Sequence, residues 1–307
     1  MAVSRGLMIV TVVAGVAQVG YSAPARAQAG PPRDGDPPAA DAAPKVAPAD
    51  AAARAAPLTP IVPDPNALTP AAFQLYTEID IPVLTVGLVF IGVRFVQTPR
   101  ELCPGQPHCD PGQLNALDRT TAGFWSPNWL LASNVGLIAE TAGALALLAD
   151  EEGGRRAAND AVVVAESALS ATAVASIMTI AAGRPRPFVY GDKAPLADRT
   201  GSDAANSFLS SHAAVAFAIA TSTYMAMHRL RPASQRPAAV LALGLGAAAF
   251  VATSRVLAGQ HFITDALGGA LVGSSVGVVV SSFHGSPVSV VPVAGEHHQG
   301  IGLRTAF

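Results

Sequence analysis

Four residues that can do chemistry together, Ser254, Arg255, His261 and Asp265, lie within a twelve-residue stretch that is otherwise uncharged. His261 and Asp265 are four residues apart, so on a helix their side chains would share one face. A carboxylate placed there can hold the imidazole in one tautomer and leave its other nitrogen free to attack an electrophile. Arg255 can bind an oxyanion, phosphate above all, through its planar fork of N–H donors. The spacing therefore indicates a nucleophile, an orienting group and an anion clamp, although such a pair is more often a plain helix-surface hydrogen bond.

A second segment of interest is Gly183-Arg184-Pro185-Arg186-Pro187, which follows a long apolar run. Its prolines predict the end of a helix and an extended backbone after it. Two arginines would then stand at a helix end, where they can bind an anion or form an ordinary basic turn.

A third segment, Ser207 to His212, opens the next apolar run. Serines in this place are typical helix N-caps, and a helix N-terminus attracts anions. His212 would lie in the first turn, beside a bound anion. The alternative is an ordinary cap with a histidine that takes no part in chemistry.

Together the three segments resemble the superfamily of type 2 phosphatidic acid phosphatases and vanadium haloperoxidases, over about residues 130–283. The pattern of that superfamily is Lys-x6-Arg-Pro, then Pro-Ser-Gly-His, then Ser-Arg-x5-His-x3-Asp. The third block is complete in this chain. The first block is matched at Arg186 and Pro187 and has Thr179 at the lysine position, and the second has Leu209-Ser210-Ser211-His212.

The resemblance implies a phosphoric monoester hydrolase that needs no metal and no cofactor. His261 would attack phosphorus and form a phosphohistidine, Asp265 would orient it, and His212 would protonate the leaving oxygen. The oxygens of the phosphate would be held by the residues at the remaining motif positions, Arg186, Arg255, Ser210, Ser211 and Thr179.

The departure at Thr179 removes one positive charge from the anion site. A charge-assisted hydrogen bond contributes roughly 1.5–3 kcal/mol, so the rate or the affinity would fall by about one to two decades. We hypothesise that Lys193 or Arg184 partly replaces the missing charge.

The composition and the N-terminal region bound the cellular location. Of the 307 residues 13% are charged, and the formal net charge is −2, which argues against a nucleic-acid partner. Residues 1–27 are typical of a secretory signal peptide, with an uncleaved anchor helix as the alternative. Residues 28–72 are rich in Ala, Pro and Asp and indicate a disordered linker. The helical domain is expected at 73–283, followed by a C-terminal tail, 284–307, with a weak strand-like pattern.

The apolar segments predict an all-α bundle of about six helices, because they seldom alternate and are rich in Ala, Gly, Val and Leu. The basic linkers after the second and fourth segments would be cytoplasmic under the positive-inside rule. Five spanning helices, with the first segment not crossing, then place the active site on the periplasmic side of the inner membrane. A soluble periplasmic bundle is the alternative. The six segments are 81–96, 129–149, 159–182, 212–229, 236–256 and 262–283.

Cys103 and Cys109 are the only cysteines, and they flank a turn-rich loop. In a secreted or periplasmic loop such a pair predicts a disulfide, and metal binding is the weaker interpretation.

The expected substrate is a lipid phosphate if the domain is membrane-embedded, or a small phosphate ester if it is a soluble acid phosphatase. A vanadate haloperoxidase and a weakened lipid-phosphate-binding protein are the further alternatives. Neither the substrate's identity nor the oligomeric state can be read from the sequence.

Overall fold

The computed structural model describes residues 71–93, 102–103 and 108–285, together with the backbone of two strands after residue 287. The predicted signal peptide and nearly all of the predicted linker lie outside the described residues.

Within this part of the chain, six long helices form a bundle, which confirms the predicted all-α domain. The helices are α1 (Thr77–Val93), α2 (Ala116–Arg119), α3 (Pro127–Glu152), α4 (Gly154–Ala182), α5 (Leu196–Arg199), α6 (Ser211–Leu230), α7 (Arg236–Leu257) and α8 (Ile263–Gly285). The strand-like pattern in the tail corresponds to an antiparallel hairpin of β1 (Val288–Gly295) and β2 (His298–Thr305).

The helices end where the sequence provides caps. Ser126 caps α3 by accepting a hydrogen bond from the N–H of Trp129, and a proline occupies the first turn. α4 ends at Gly183, which has a left-handed backbone and donates its N–H to the carbonyl of Thr179. Ser210 caps α6. The helix end and the N-cap predicted around the two shorter motifs are therefore present.

Helix α6 lies at the centre of the bundle and packs against α3, α4, α7 and α8. Most of its buried side chains are alanines or hydroxyl residues, so its neighbours can approach closely. The closest approach is to α8, where a Cβ on Gly273 would lie 2.1 Å from the carbonyl oxygen of Ala214. This contact fixes the relative position of the two helices.

The bundle has two distinct ends. At one end, the site end, the C-termini of α4 and α7 meet the N-termini of α6 and α8. At the other, the far end, Glu151 of α3 forms ion pairs with Arg231 and Arg236, which flank the loop between α6 and α7.

Helix α1 runs from the far end towards the site end. Near its start, Asp80 contacts His284 at the C-terminus of α8, and one to two turns later Gly87 packs against Leu169 of α4. The chain then reaches Cys109, whose N–H donates to the carbonyl of Val189 at the site end. Helix α1 therefore runs in the same direction as α4. With 17 residues it is not among the described helices that are long and apolar enough to cross a membrane, and whether the first apolar segment crosses stays a prediction.

Four of the described helices are long and apolar enough to cross a membrane: α3, α4 with the turn that follows it, α7 and α8. Their outer faces expose large apolar side chains, among them Leu131, Leu243 and Leu271 at 63%, 75% and 70%. Exposed apolar surface on this scale is unusual for a soluble monomer and supports a membrane location. α6 is not among the four, because it faces other helices and needs no lipid-facing surface, yet it connects the same two ends.

Candidate active site

The motif residues converge at the site end of the bundle. Arg186 follows α4, His212 lies in the first turn of α6, Arg255 in the last turn of α7, and His261 in the turn before α8. That turn depends on Gly259, which has φ +75°, and a Cβ there would lie 1.8 Å from the carbonyl oxygen of Phe124. The turn therefore presses His261 into the bundle, where it is buried together with both arginines.

Hydrogen bonding selects one tautomer of His261. Its Nδ1 lies 2.6 Å from the carbonyl oxygen of Ser207, which can only accept, so Nδ1 carries the proton. Nε2 therefore keeps its lone pair, and it lies 3.4 Å from Nη1 of Arg186. A nucleophilic nitrogen thus faces a buried cation that can hold an anionic substrate.

The pKa of His261 is lowered well below its ordinary value of 6.5. Burial is the main cause, and the positive charges of Arg186 and Arg255 add to it. The ring is therefore neutral, and competent as a nucleophile, at neutral pH.

This shift predicts the acidic limb of the pH profile. Protonated His261 cannot attack, so kcat/KM falls as the pH drops through the pKa of His261 in the free enzyme. Because burial and the two arginines lower that pKa, we expect the fall only below pH 6.5. A pH profile of kcat/KM measures this, and an acidic midpoint at or above 6.5 would contradict it.

The Asp265 carboxylate and Nδ1 of His261 form hydrogen bonds to other partners, which corrects the predicted direct pairing. Oδ2 of Asp265 accepts from the hydroxyl of Ser207 at 2.5 Å and from the N–H of Phe262 at 2.9 Å. The second of these bonds caps the start of α8. Asp265 is therefore linked to His261 through Ser207, since its carboxylate binds the hydroxyl of the residue whose carbonyl binds Nδ1.

A second carboxylate, Asp118, supports this arrangement from the segment before α3. Arg184 bridges the two, with Nη1 at 2.5 Å from Asp265 and Nη2 at 2.7 Å from Asp118. Asp118 also accepts from the N–H and the hydroxyl of Thr264 in the first turn of α8. Burial opposes its charge, but these bonds prevail and hold the pKa of Asp118 below its usual value.

The network bears on the hypothesis that Arg184 or Lys193 replaces the positive charge of the missing lysine. The charge of Arg184 is already balanced by two buried carboxylates, so little of it is left for a substrate. Lys193 lies exposed on the loop before α5, whereas the two motif arginines are buried. Replacement of the missing charge by Lys193 stays a hypothesis.

We expect Asp118→Asn to lower kcat about tenfold, which corresponds to about 1.4 kcal/mol in the activation barrier. The amide would leave Arg184 with one carboxylate partner and would weaken the hold on α8. Steady-state kinetics and thermal unfolding measure the two effects, and Asp110→Asn, at an exposed cap of a 3-10 turn, is the matched control. Equal kcat in the wild type and Asp118→Asn would show that the network does not position the site.

The arginine clamp is held in place by backbone and side-chain oxygens. Arg186 donates to the carbonyls of Asp203 at 2.8 Å and Gln260 at 2.7 Å, and it forms an ion pair with the Asp203 carboxylate. Arg255 approaches Ser133 of α3, with 3.5 Å between Nη1 and the hydroxyl oxygen. Both guanidinium groups are therefore oriented by the protein before any substrate arrives.

Thr179 is placed differently from the prediction. Its side chain is buried, and its hydroxyl donates to the carbonyls of Ala175 and Leu209. It therefore holds the backbone of the segment before α6 through the carbonyl of Leu209, whereas the predicted role was to contact phosphate. Ser210 likewise uses its hydroxyl as the N-cap of α6, and Ser211 begins that helix.

The predicted general acid has a partner that the sequence did not reveal. Nε2 of His212 lies 3.1 Å from Oδ1 of Asn134 in α3, and a histidine N–H at this position donates to the amide oxygen. His212 is also near enough for its charge to act on His261. The adjacent polar residues Ser133 and Asn134 interrupt the apolar run of α3, and that interruption was the available signal.

The predicted disulfide between Cys103 and Cys109 is present. Cys109 packs with Phe188, Val189 and Ala204, so the bond fastens the loop before α2 to the segment that carries Arg186.

Comparison with known proteins identifies the family. The family model described as "PAP2 superfamily" matches residues 160–287, a range that contains all three motifs. The matched residues belong to the PAP2 superfamily. Membership supports a phosphatase activity for the chain.

Other comparisons add little to the family match. No curated protein matches the chain. A solved structure, a transmembrane PAP2-type phosphatidylglycerolphosphate phosphatase from Bacillus subtilis, is similar to the PAP2 domain at 20% identity and a TM-score of 0.41. The match covers 66% of this chain and 94% of that one. A likeness this remote does not extend that protein's substrate to the present chain.

Proposed function

We propose that the chain is a phosphatase that cleaves a phosphomonoester or pyrophosphate through a phosphohistidine on His261. One observation carries this proposal. The carbonyl of Ser207 holds the proton of His261 on Nδ1, so that the lone pair of Nε2 faces the buried guanidinium of Arg186. Nucleophile and charge stabilisation are thus already aligned.

The reaction has two balanced steps. In the first, Nε2 forms a bond to phosphorus, the bond to the leaving oxygen breaks, and His212 gives that oxygen a proton. In the second, His212 takes a proton from water, whose oxygen attacks phosphorus and releases the histidine. Arg186 and Arg255 stabilise the negative charge on the phosphoryl oxygens in both steps.

A lipid phosphate is the proposed substrate class. Three of the four helices that carry or flank the site residues, α4, α7 and α8, are long and apolar enough to cross a membrane, which supports a site at the end of a membrane-embedded bundle. A phosphate carried on a lipid would reach this end without leaving the bilayer surface.

We further propose that the site end faces the periplasm. The far end carries Arg155 and Arg156 in the first turn of α4, Arg231 just after α6 and Arg236 at the start of α7, as expected of a cytoplasmic face. The disulfide lies at the site end, as expected of an oxidising compartment.

This orientation conflicts with the predicted cleaved signal peptide. Since α1 begins at the far end, a periplasmic site requires residue 71 to lie on the cytoplasmic side. Cleavage after residue 27 would leave that residue in the periplasm. The basic residues at the far end and the disulfide at the site end both support a periplasmic site, so this proposal does not include a cleaved signal peptide.

Fusions at residue 233 and at residue 195 test the orientation. Alkaline phosphatase is active only outside the cytoplasm, so it should be active at 195 and inactive at 233. The reverse pattern would overturn the periplasmic site and restore the cleaved signal.

Phosphate release from a panel of substrates tests the activity itself. The purified protein, in detergent or vesicles, should release phosphate faster from phosphatidate or an isoprenyl pyrophosphate than from soluble sugar phosphates. Faster turnover of the soluble esters would favour a broad acid phosphatase, and no release from any of them would contradict the phosphatase proposal.

A weakened lipid-phosphate-binding protein is the second candidate, and the placement of Thr179 favours it. The residue at the lysine position brings no charge, and its hydroxyl is engaged by the carbonyl of Leu209. This candidate predicts that vanadate binds while phosphate release stays at the background rate.

A further inference from the structure

A second cluster of ionisable residues lies at the far end of the bundle. Asp80 of α1, Glu166 of α4 and His284 of α8 are all at most 5% exposed. Nε2 of His284 lies 3.0 Å from Oδ1 of Asp80 and 3.1 Å from Oε2 of Glu166. α8 has 23 residues, so at about 1.5 Å per residue the cluster is roughly 30 Å from His261. The cluster therefore plays no part in the phosphatase site.

The cluster lacks a positive charge. Two carboxylates and a protonated histidine leave one negative charge buried among apolar helices, which is costly. One carboxylate oxygen, Oε1 of Glu166, is buried and has no hydrogen-bond partner among the described residues. A proton on Oε1 would be a buried donor without an acceptor. A proton on Oε2 would face the N–H of a protonated His284, or, with a neutral His284, would leave the Asp80 carboxylate opposite a lone pair. Protonation of Glu166 therefore does not satisfy the cluster.

A divalent cation satisfies both the charge and the open oxygen. With a neutral histidine, two carboxylates balance a charge of +2. The ligand atoms of the three residues lie within 4.8 Å of one another. In a tetrahedral zinc site with bonds of about 2.0–2.1 Å, ligand atoms are about 3.3 Å apart, so the two separations from Nε2 of His284, 3.0 and 3.1 Å, need only a small expansion.

The second hydrogen bond of the histidine also fits a metal ligand. Nδ1 of His284 lies 2.9 Å from the carbonyl oxygen of Val280, which fixes the proton on Nδ1 and leaves Nε2 for a metal. Oδ2 of Asp80 accepts from the N–H of Tyr76, so this carboxylate is oriented as well. We propose that Asp80, Glu166 and His284 bind one divalent transition-metal ion, with zinc the best match to two oxygens and one nitrogen.

The role of such an ion would be structural. It would fasten the start of α1 to α4 and α8, at the point where the chain enters the bundle. All three ligands are buried inside the bundle, about 30 Å from the site end.

Metal content tests the proposal independently of phosphatase activity. The full chain is purified with a tag that lacks histidine, dialysed against zinc and then dialysed against zinc-free buffer. It should retain about one zinc ion per chain, measured by inductively coupled plasma mass spectrometry. Glu166→Gln, which keeps the size of the side chain, and His284→Gln should hold almost none. Zinc should raise the unfolding temperature of the stripped wild type and leave that of Glu166→Gln unchanged.

Two controls separate this site from other histidines. His228→Gln changes an exposed histidine of α6, and His297→Gln with His298→Gln removes the pair in the tail. Both should retain the zinc of the wild type. Any of three results would overturn the assignment: no zinc in the wild type, the same zinc content in Glu166→Gln as in the wild type, or loss of zinc when the tail histidines are replaced.

Discussion

His261→Ala should lower kcat for every phosphate substrate of the wild type by about 10⁴-fold or more, because it removes the attacking atom itself. The side chain is buried against Arg186, and the structure offers no second imidazole in the same position. His212 is turned towards α3 by the hydrogen bond between its Nε2 and Asn134 of that helix. The loss should appear in kcat more than in KM.

The measurement is phosphate release in detergent, with His228→Ala as the matched control on an exposed histidine. Unfolding temperature must be followed as well, since the substitution leaves a cavity in a packed turn. Brief incubation with substrate labelled on phosphorus should mark the wild type and leave His261→Ala unmarked. Equal phosphate release by wild type and His261→Ala at equal stability would end the proposal of a phosphohistidine enzyme.

The long helices and their ends could be predicted because they depend on neighbours in the sequence. Ser210 and Gly183 cap and terminate helices through contacts within four residues, so their types alone suffice. Successive helices of similar length that run antiparallel bring the three motifs to one end of the bundle, so this convergence could be predicted. Arg186, His212 and His261 were therefore predicted to lie together. The structure places Arg186 3.4 Å from His261, with His212 near enough for its charge to act on the same ring.

The direct pairing of His261 with Asp265 failed for a specific reason. It assumed that both residues lie on one helix, whereas α8 begins at Ile263 and His261 lies in the preceding turn. Asp265 is instead placed in the first turn, where its carboxylate can cap the helix by accepting from Phe262. A helix boundary two residues from the expected one thus changed the partner of a catalytic side chain.

Contacts distant in sequence were beyond prediction. Asp80 and His284 are 204 residues apart, and only the packing of α1 against α4 and α8 brings them together. Asp118 likewise lies 146 residues from Thr264, which it holds. Neither spacing forms a motif, so a search for metal ligands or orienting groups along the sequence finds nothing at these places.

The contact between α6 and α8 leads to the second large expected effect. In an exposed helix, replacing glycine with alanine stabilises a protein by about 0.5–1 kcal/mol. At Gly273 we expect the opposite sign and a loss of about 3 kcal/mol, because the new Cβ would lie 2.1 Å from the backbone oxygen of Ala214. A backbone atom cannot rotate away, so the helices must separate.

Gly246→Ala in α7 is the matched control, since nothing lies within 4 Å of a Cβ built there. The unfolding temperature in detergent should fall for Gly273→Ala and stay level or rise for Gly246→Ala. A rise in both would show that α6 and α8 are not in the described contact.

The consequence for activity follows from the position of the reacting groups: α6 carries His212 at its N-terminus, and α8 begins two residues after His261. A shift of about 1 Å between reacting groups can cost about 10²-fold in rate, so the Gly273→Ala protein that remains folded should also be slow.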